Sequence, residues 1–97
     1  MENKYLAKIK KAVLEILKDE EVKIILFGSR AREDNHRCSD VDIGILPYGR
    51  MDEKKLIFLR DKIEDLNIPY KVEIVNLLET SQDFRRQATK EAIVWKD

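Results

Sequence analysis

Two aspartates, Asp40 and Asp42, stand one residue apart among branched neighbours, and ten residues separate a Gly28-Ser29 pair from Asp40. Carboxylates two positions apart on a strand lie on one side of it. An oxygen-only pair of this kind suits Mg²⁺, which keeps several waters and completes its octahedron with substrate phosphate oxygens. Gly28 ends an apolar run, where glycine permits a tight turn and close approach of a ligand to the backbone. Ser29 is placed to cap a following helix, whose free N–H groups attract phosphate. Glu73, in Val72-Glu73-Ile74-Val75, repeats the alternation and supplies a third carboxylate. Three such groups on one face repel one another, and a cation among them resolves the conflict. Two divalent ions roughly 3.5–4 Å apart clamp the attacking and leaving oxygens of an in-line displacement. Together these parts describe nucleotidyl transfer.

The elements that must carry these groups are visible in the spacing. Leu6, Ile9, Val13, Ile16 and Leu17 recur at helical intervals between Lys4 and Lys18, which predicts an amphipathic helix. Val22 to Phe27 is a short apolar run rich in branched residues, read as a buried strand. A polar connector, Ser29 to Ser39, leads to a second branched run, Val41 to Leu46, ended by Pro47 and Gly49. In Asp40-Val41-Asp42-Ile43-Gly44-Ile45 the pleat separates Val41, Ile43 and Ile45 from Asp40, Asp42 and Gly44. Asp52 is a candidate cap for a helix through Leu56, Leu59, Ile63 and Leu66, stopped by Asn67 and Pro69. Lys71 to Leu78 reads as a third strand. Thr80 or Ser81 caps a last short helix through Ala92, and the apolar tail Ile93-Val94-Trp95 is expected to pack. The expected fold is therefore α/β (α+β), a small mixed three-stranded sheet with helices on one face. The carboxylates are expected on the other, open face.

Ninety-seven residues fit one domain spanning 1–97, without room for a second substrate-holding unit. Nineteen basic and nineteen acidic residues balance, which argues against holding a long nucleic acid by a general positive field. A single Cys38 excludes an internal disulfide and fits a reducing compartment. With no apolar run near the roughly 20 residues of a membrane span and no signal-peptide core at Met1-Glu2-Asn3-Lys4, the chain is expected to be cytoplasmic.

Each candidate has a plainer reading. Ser29 at such a place is most often only a cap, and the spacing to Asp40 is what turns the reading toward function. Asp42 is a poor structural choice inside a strand, where Asp is depleted. Glu73 has the alternative of a solvated strand residue paired with Lys71. Arg30 and Arg32 lie beside the cradle, where a guanidinium fork binds phosphate oxygens, but an exposed surface pair is the competing reading. Arg37, Arg85, Arg86 and Lys90 read as ordinary charged surface. His36 and Cys38 are too isolated for a zinc site, which takes about three or four ligands. Tyr5, Phe84 and Trp95 read as core or edge residues.

Gly28-Ser29-Arg30-Ala31-Arg32 followed by Ser39-Asp40-Val41-Asp42-Ile43 resembles the signature of the minimal nucleotidyltransferases (MNT), in the DNA polymerase beta superfamily. The resemblance extends through the third strand to the tail. It implies the polymerase beta-like nucleotidyltransferase fold, nucleotide binding at Gly28 and Ser29, beside which Arg30 and Arg32 are the nucleotide-binding candidates read from their charge and position, and Mg²⁺ binding and catalysis at Asp40, Asp42 and Glu73. The family usually has Asp where Glu73 stands, and the extra methylene loosens the placement of a general base. It commonly has Gly where Glu33 stands. The resemblance further implies ATP as substrate, with AMP passed to a hydroxyl of a partner protein. It also implies a role as antitoxin of a HEPN ribonuclease toxin. The alternatives are a weakly active or inactive antitoxin that neutralises its partner by complex formation, and a transferase acting on a small molecule or an RNA end. A complex with the partner and a homo-oligomer are both open.

Overall fold

The computed structural model describes residues 4–28 and 40–97. Ser29, Arg30, Arg32, Glu33, His36 and Cys38, with the helix expected to start at Ser29, lie outside the described residues. The described elements are α1 (Lys4–Ile16), β1 (Val22–Phe27), β2 (Val41–Pro47), α2 (Lys54–Asp65), β3 (Val72–Asn76), α3 (Gln82–Lys90) and β4 (Ile93–Lys96), with a 3₁₀ turn at Leu77–Glu79.

The strands form one mixed sheet in the order β3-β2-β1-β4. β1 runs antiparallel to both β2 and β4, while β2 and β3 are parallel. A parallel pair needs a crossover, and α2 is that connection. β1 is interior and covered on both faces, which is why its sequence reads as a nearly unbroken apolar run. Val22, Ile24 and Leu26 join Val41, Ile43, Ile45 and Ile74 under Ile9, Val13 and Leu17 of the first helical segment and Leu56, Leu59 and Ile63 of α2. Ile25 and Phe27 point the other way, against Leu77 and Ala88.

Two features depart from the sequence expectation. The sheet has four strands, because Ile93–Lys96 pairs along Ile24–Leu26 of β1 with one register shift. The tail is further fixed by Lys96, whose ammonium donates to the carbonyls of Leu17 (3.3 Å) and Glu20. Cations are favoured there because the last carbonyls of a helix lack intrahelical donors. Helices also do not cover one face alone. α1 and α2 share the large core, whereas the 3₁₀ turn and α3 cover the lower part of the second face through Leu77 and Ala88. That face carries Ile25, Leu46 and Val75 as well as the acidic positions, so its apolar part must be buried too.

The ends of the elements follow local chemistry. The N-cap of α2 is Glu53, whose side chain makes no cap bond, and not the expected Asp52, whose carboxylate one residue earlier accepts from the Lys54 N–H at 3.0 Å. At α3 the expected Ser81 is the cap, its Oγ accepting from the Phe84 N–H at 3.1 Å. Asn67 has φ +54°, a left-handed conformation that stops α2. The expected third strand ends at Asn76, whose side chain accepts from the Leu78 N–H and turns Leu77–Glu79 into the 3₁₀ segment. Among the described residues no helix is long and apolar enough to cross a membrane.

Candidate active site

The register of three strands lines up the chemistry. Phe27 of β1 stands opposite Asp42 of β2, and Asp42 stands beside Glu73 of β3. Residues paired this way share a face, so one row runs Phe27, Asp42, Glu73 across the sheet. The next row is Ile25, Gly44 and Val75. Gly44 is buried because Leu77 lies over it: a Cβ there would come within 2.9 Å of Leu77 Cδ1 and 3.0 Å of Ile25 Cγ1. The face expected to be wholly open is therefore closed below the acidic row, and the carboxylates occupy its rim.

Gly28 completes the corner. It has φ +79°, and a Cβ on it would stand 2.6 Å from Asp42 Oδ2. A side chain there is strained by the backbone conformation and would push the Asp42 carboxylate aside. The glycine at the strand end and the second aspartate, selected in sequence by type and spacing, are in contact range in the fold.

Asp40 lies just before β2 and is exposed, Asp42 is half-buried on the strand, and Glu73 is half-buried on β3. The Val41 N–H donates to the Lys71 carbonyl at 2.9 Å, joining the start of β2 to the start of β3. Burial, then the negative charges of Glu73 and Asp40, push the Asp42 carboxyl above the ordinary aspartate range, with Lys71 pulling the other way. Mutual repulsion of this kind is what a divalent cation relieves. Lys71 already answers part of it: its Nζ lies 2.8 Å from Glu73 Oε1. The hydrogen bond to Glu73 and that group's charge raise the Lys71 pKa above the usual lysine value. Among the described residues no three acidic, histidine or cysteine side chains close together round a single ion. Among the described residues the ligating side chains of the acidic row are carboxylates, and Mg²⁺ commonly takes only one or two of these, filling its shell with water and phosphate oxygens. Asp40 and Asp42 fit that use.

Other residues separate from this corner. Arg85, read as surface, donates from Nε to the Leu77 carbonyl at 3.0 Å and ties α3 to the 3₁₀ turn. Phe84, read as core or edge, is 44% exposed and packs edge-on against Phe27 with ring centroids 5.9 Å apart. It borders a hollow of about 160 Å³ lined by Phe27, Gly28, Phe84, Gln87, Ala88 and Glu91. Sequence reasoning missed this aromatic flank. The signal was Phe27 itself, directly before the key glycine.

The family model for the polymerase beta nucleotidyltransferase domain matches residues 8–97. No curated protein matches the chain. Among solved structures, one assigned as a minimal nucleotidyltransferase is 26% identical with a TM-score of 0.73, over 96% of this chain and 95% of its own. A toxin-antitoxin structure with AMP-PNP is 25% identical with a TM-score of 0.67, over 89% of this chain and 71% of its own. A complex of a tri-AMPylated Shewanella oneidensis HEPN toxin with its MNT antitoxin shares the fold at 21% identity and a TM-score of 0.62, over 92% of this chain and 70% of its own.

Proposed function

The chain belongs to the polymerase beta nucleotidyltransferase family, and from that premise we propose that it transfers AMP from ATP to a hydroxyl group of a partner protein, a HEPN-domain toxin whose antitoxin it is. The observation that carries the reading is the placement of Asp42, 2.6 Å from the Cβ position that Gly28 leaves empty and beside Glu73 across the parallel pair. The neighbour with AMP-PNP and the neighbour with an AMPylated HEPN toxin support the choice of nucleotide and partner.

In this reading Gly28 admits the triphosphate close to the backbone, and Ser29, Arg30 and Arg32, outside the described residues, bind its oxygens. Asp40 and Asp42 would hold Mg²⁺, with Glu73 as a further carboxylate beside them. When bound, the ion would supply charge neutralisation at the phosphates. The acceptor oxygen bonds to the α-phosphorus as the bond to the β-phosphate bridging oxygen breaks, and pyrophosphate leaves. The proton of the acceptor hydroxyl passes to Glu73 or to solvent.

A specific contact favours a second reading. Glu73 Oε1 lies 2.8 Å from Lys71 Nζ, so one of its carboxylate oxygens is already engaged and is not free to take the acceptor's proton. In that case the chain neutralises its partner by binding alone. Incubation with labelled ATP, Mg²⁺ and the candidate partner separates the two. Label on the partner that disappears with Asp42→Asn is the expected result; a tight complex that never takes up label overturns transfer in favour of binding.

A further inference from the structure

The hollow beside Gly28 lies on the same face as the acidic row and is not used by the phosphate and metal chemistry. Phe27 forms its inner wall, on the β1 side of Asp42 and opposite the Lys71 and Glu73 side. Phe84 and Gln87 are three residues apart on α3, which puts them on one helix face. Both are exposed. Ala88, one position further, is buried and small, so the space between the two side chains and the strand stays unfilled. The position of α3 here is fixed by the Ser81 cap on the Phe84 N–H and by Arg85 on the Leu77 carbonyl.

We propose that this hollow receives the base of the nucleotide, with Phe84 as its stacking partner and Gln87 as the residue that reads its edge. The inference rests on the nucleotide-binding reading above and adds to it the residues that set the preference for adenine. Three observations favour a base over another occupant. The hollow shares Gly28 with the corner where the phosphates would lie, so one ligand can reach both. Its walls offer an aromatic ring with exposed surface, and stacking on such a ring is tolerant of base identity. Its rim offers a carboxamide, which carries a donor and an acceptor side by side. That pattern matches the adenine N6 and N7 edge, whereas guanine presents two acceptors there. ATP is therefore preferred over GTP.

The test is calorimetric titration of the full chain, in Mg²⁺, with AMP-PNP, GMP-PNP and inorganic tripolyphosphate. The wild type is expected to bind GMP-PNP about tenfold more tightly than tripolyphosphate, the scale of one stacked base, and AMP-PNP about tenfold more tightly again, the scale of one bidentate pairing. Phe84→Ala should bring AMP-PNP to within about twofold of tripolyphosphate while leaving tripolyphosphate affinity unchanged, which also shows that the variant is folded. Gln87→Ala should keep the advantage of AMP-PNP over tripolyphosphate and lose its advantage over GMP-PNP. Tripolyphosphate binding as well as AMP-PNP in the wild type, or Phe84→Ala keeping the full advantage, overturns the base hollow and leaves the phosphate corner standing. Failure of all three ligands to bind the wild type overturns both.

Discussion

Gly28 and Asp42 compete for one volume: Oδ2 of Asp42 lies 2.6 Å from where a Cβ on Gly28 would be. Glycine therefore permits both the φ of +79° and the inward position of the carboxylate. Gly28→Ala should displace Asp42 and cost roughly 1–3 kcal/mol in backbone strain and crowding. Its larger effect should be on ligand binding. The variant is expected to remain folded by circular dichroism and to lose most of its affinity for Mg²⁺ with AMP-PNP; unchanged affinity would detach the glycine from the site.

The acidic row makes a prediction about pH. Burial and the charges of Glu73 and Asp40 raise the Asp42 pKa in the folded chain. The native state then binds the Asp42 proton more tightly than the unfolded state does. This contribution to stability is fully present below the ordinary aspartate value and is lost as pH rises through the raised one. In EDTA at pH 7, Asp42→Asn should melt a few degrees higher than the wild type, with the gap closing toward about pH 4. Saturating Mg²⁺ should narrow the gap from the other side, because an ion bound only by the native state stabilises the wild type. Equal melting temperatures at pH 7 in EDTA would show that the row carries no repulsion.

Lys71 is the cation already present. Its pair with Glu73 is open to solvent, and ion pairs of that kind contribute little to stability. Lys71→Met should therefore leave the melting temperature almost unchanged. It should tighten Mn²⁺ binding several-fold, measured by electron paramagnetic resonance, since Glu73 and Asp42 lose a competing positive charge. Weaker Mn²⁺ binding would mean that Lys71 positions Glu73 for the metal instead of competing with it.

Gly44 tests packing under the site. A Cβ would press on Leu77 Cδ1 and Ile25 Cγ1 at 2.9 and 3.0 Å. Crowding of this size in a packed interior costs about 1–3 kcal/mol. Urea unfolding of Gly44→Ala should show that loss with an unchanged denaturant slope; a neutral result would mean that the 3₁₀ turn yields freely.

Much of this was legible from the alternation of side chains. Val41, Ile43 and Ile45 were separable from Asp42 by pleat alone, and the antiparallel and parallel partners place Phe27 and Glu73 beside it. The pairing of Lys71 with Glu73 was also readable as two residues on one side of a strand. The fourth strand was not, because Ile93–Lys96 is only four residues long and its state depends on Ile24–Leu26 being adjacent in space. The face chosen by α3 was equally hidden, since Ala88 is its one buried residue. Hence the hollow between Phe84 and Gly28 emerges only in three dimensions. Asp40 and Asp42 were named from spacing, and the contact between Asp42 and the Gly28 position gives that spacing its structural sense.

In the proposed function the rim formed by Gly28, Asp40 and Asp42 holds a magnesium nucleotide. Titration of Mg²⁺ with AMP-PNP into the wild type and into Asp42→Asn, with heat as the readout, decides this. A saturable heat in the wild type that vanishes in a folded Asp42→Asn variant is the predicted result. No heat in the wild type, or the same affinity in both proteins, would mean that the acidic rim does not bind the nucleotide.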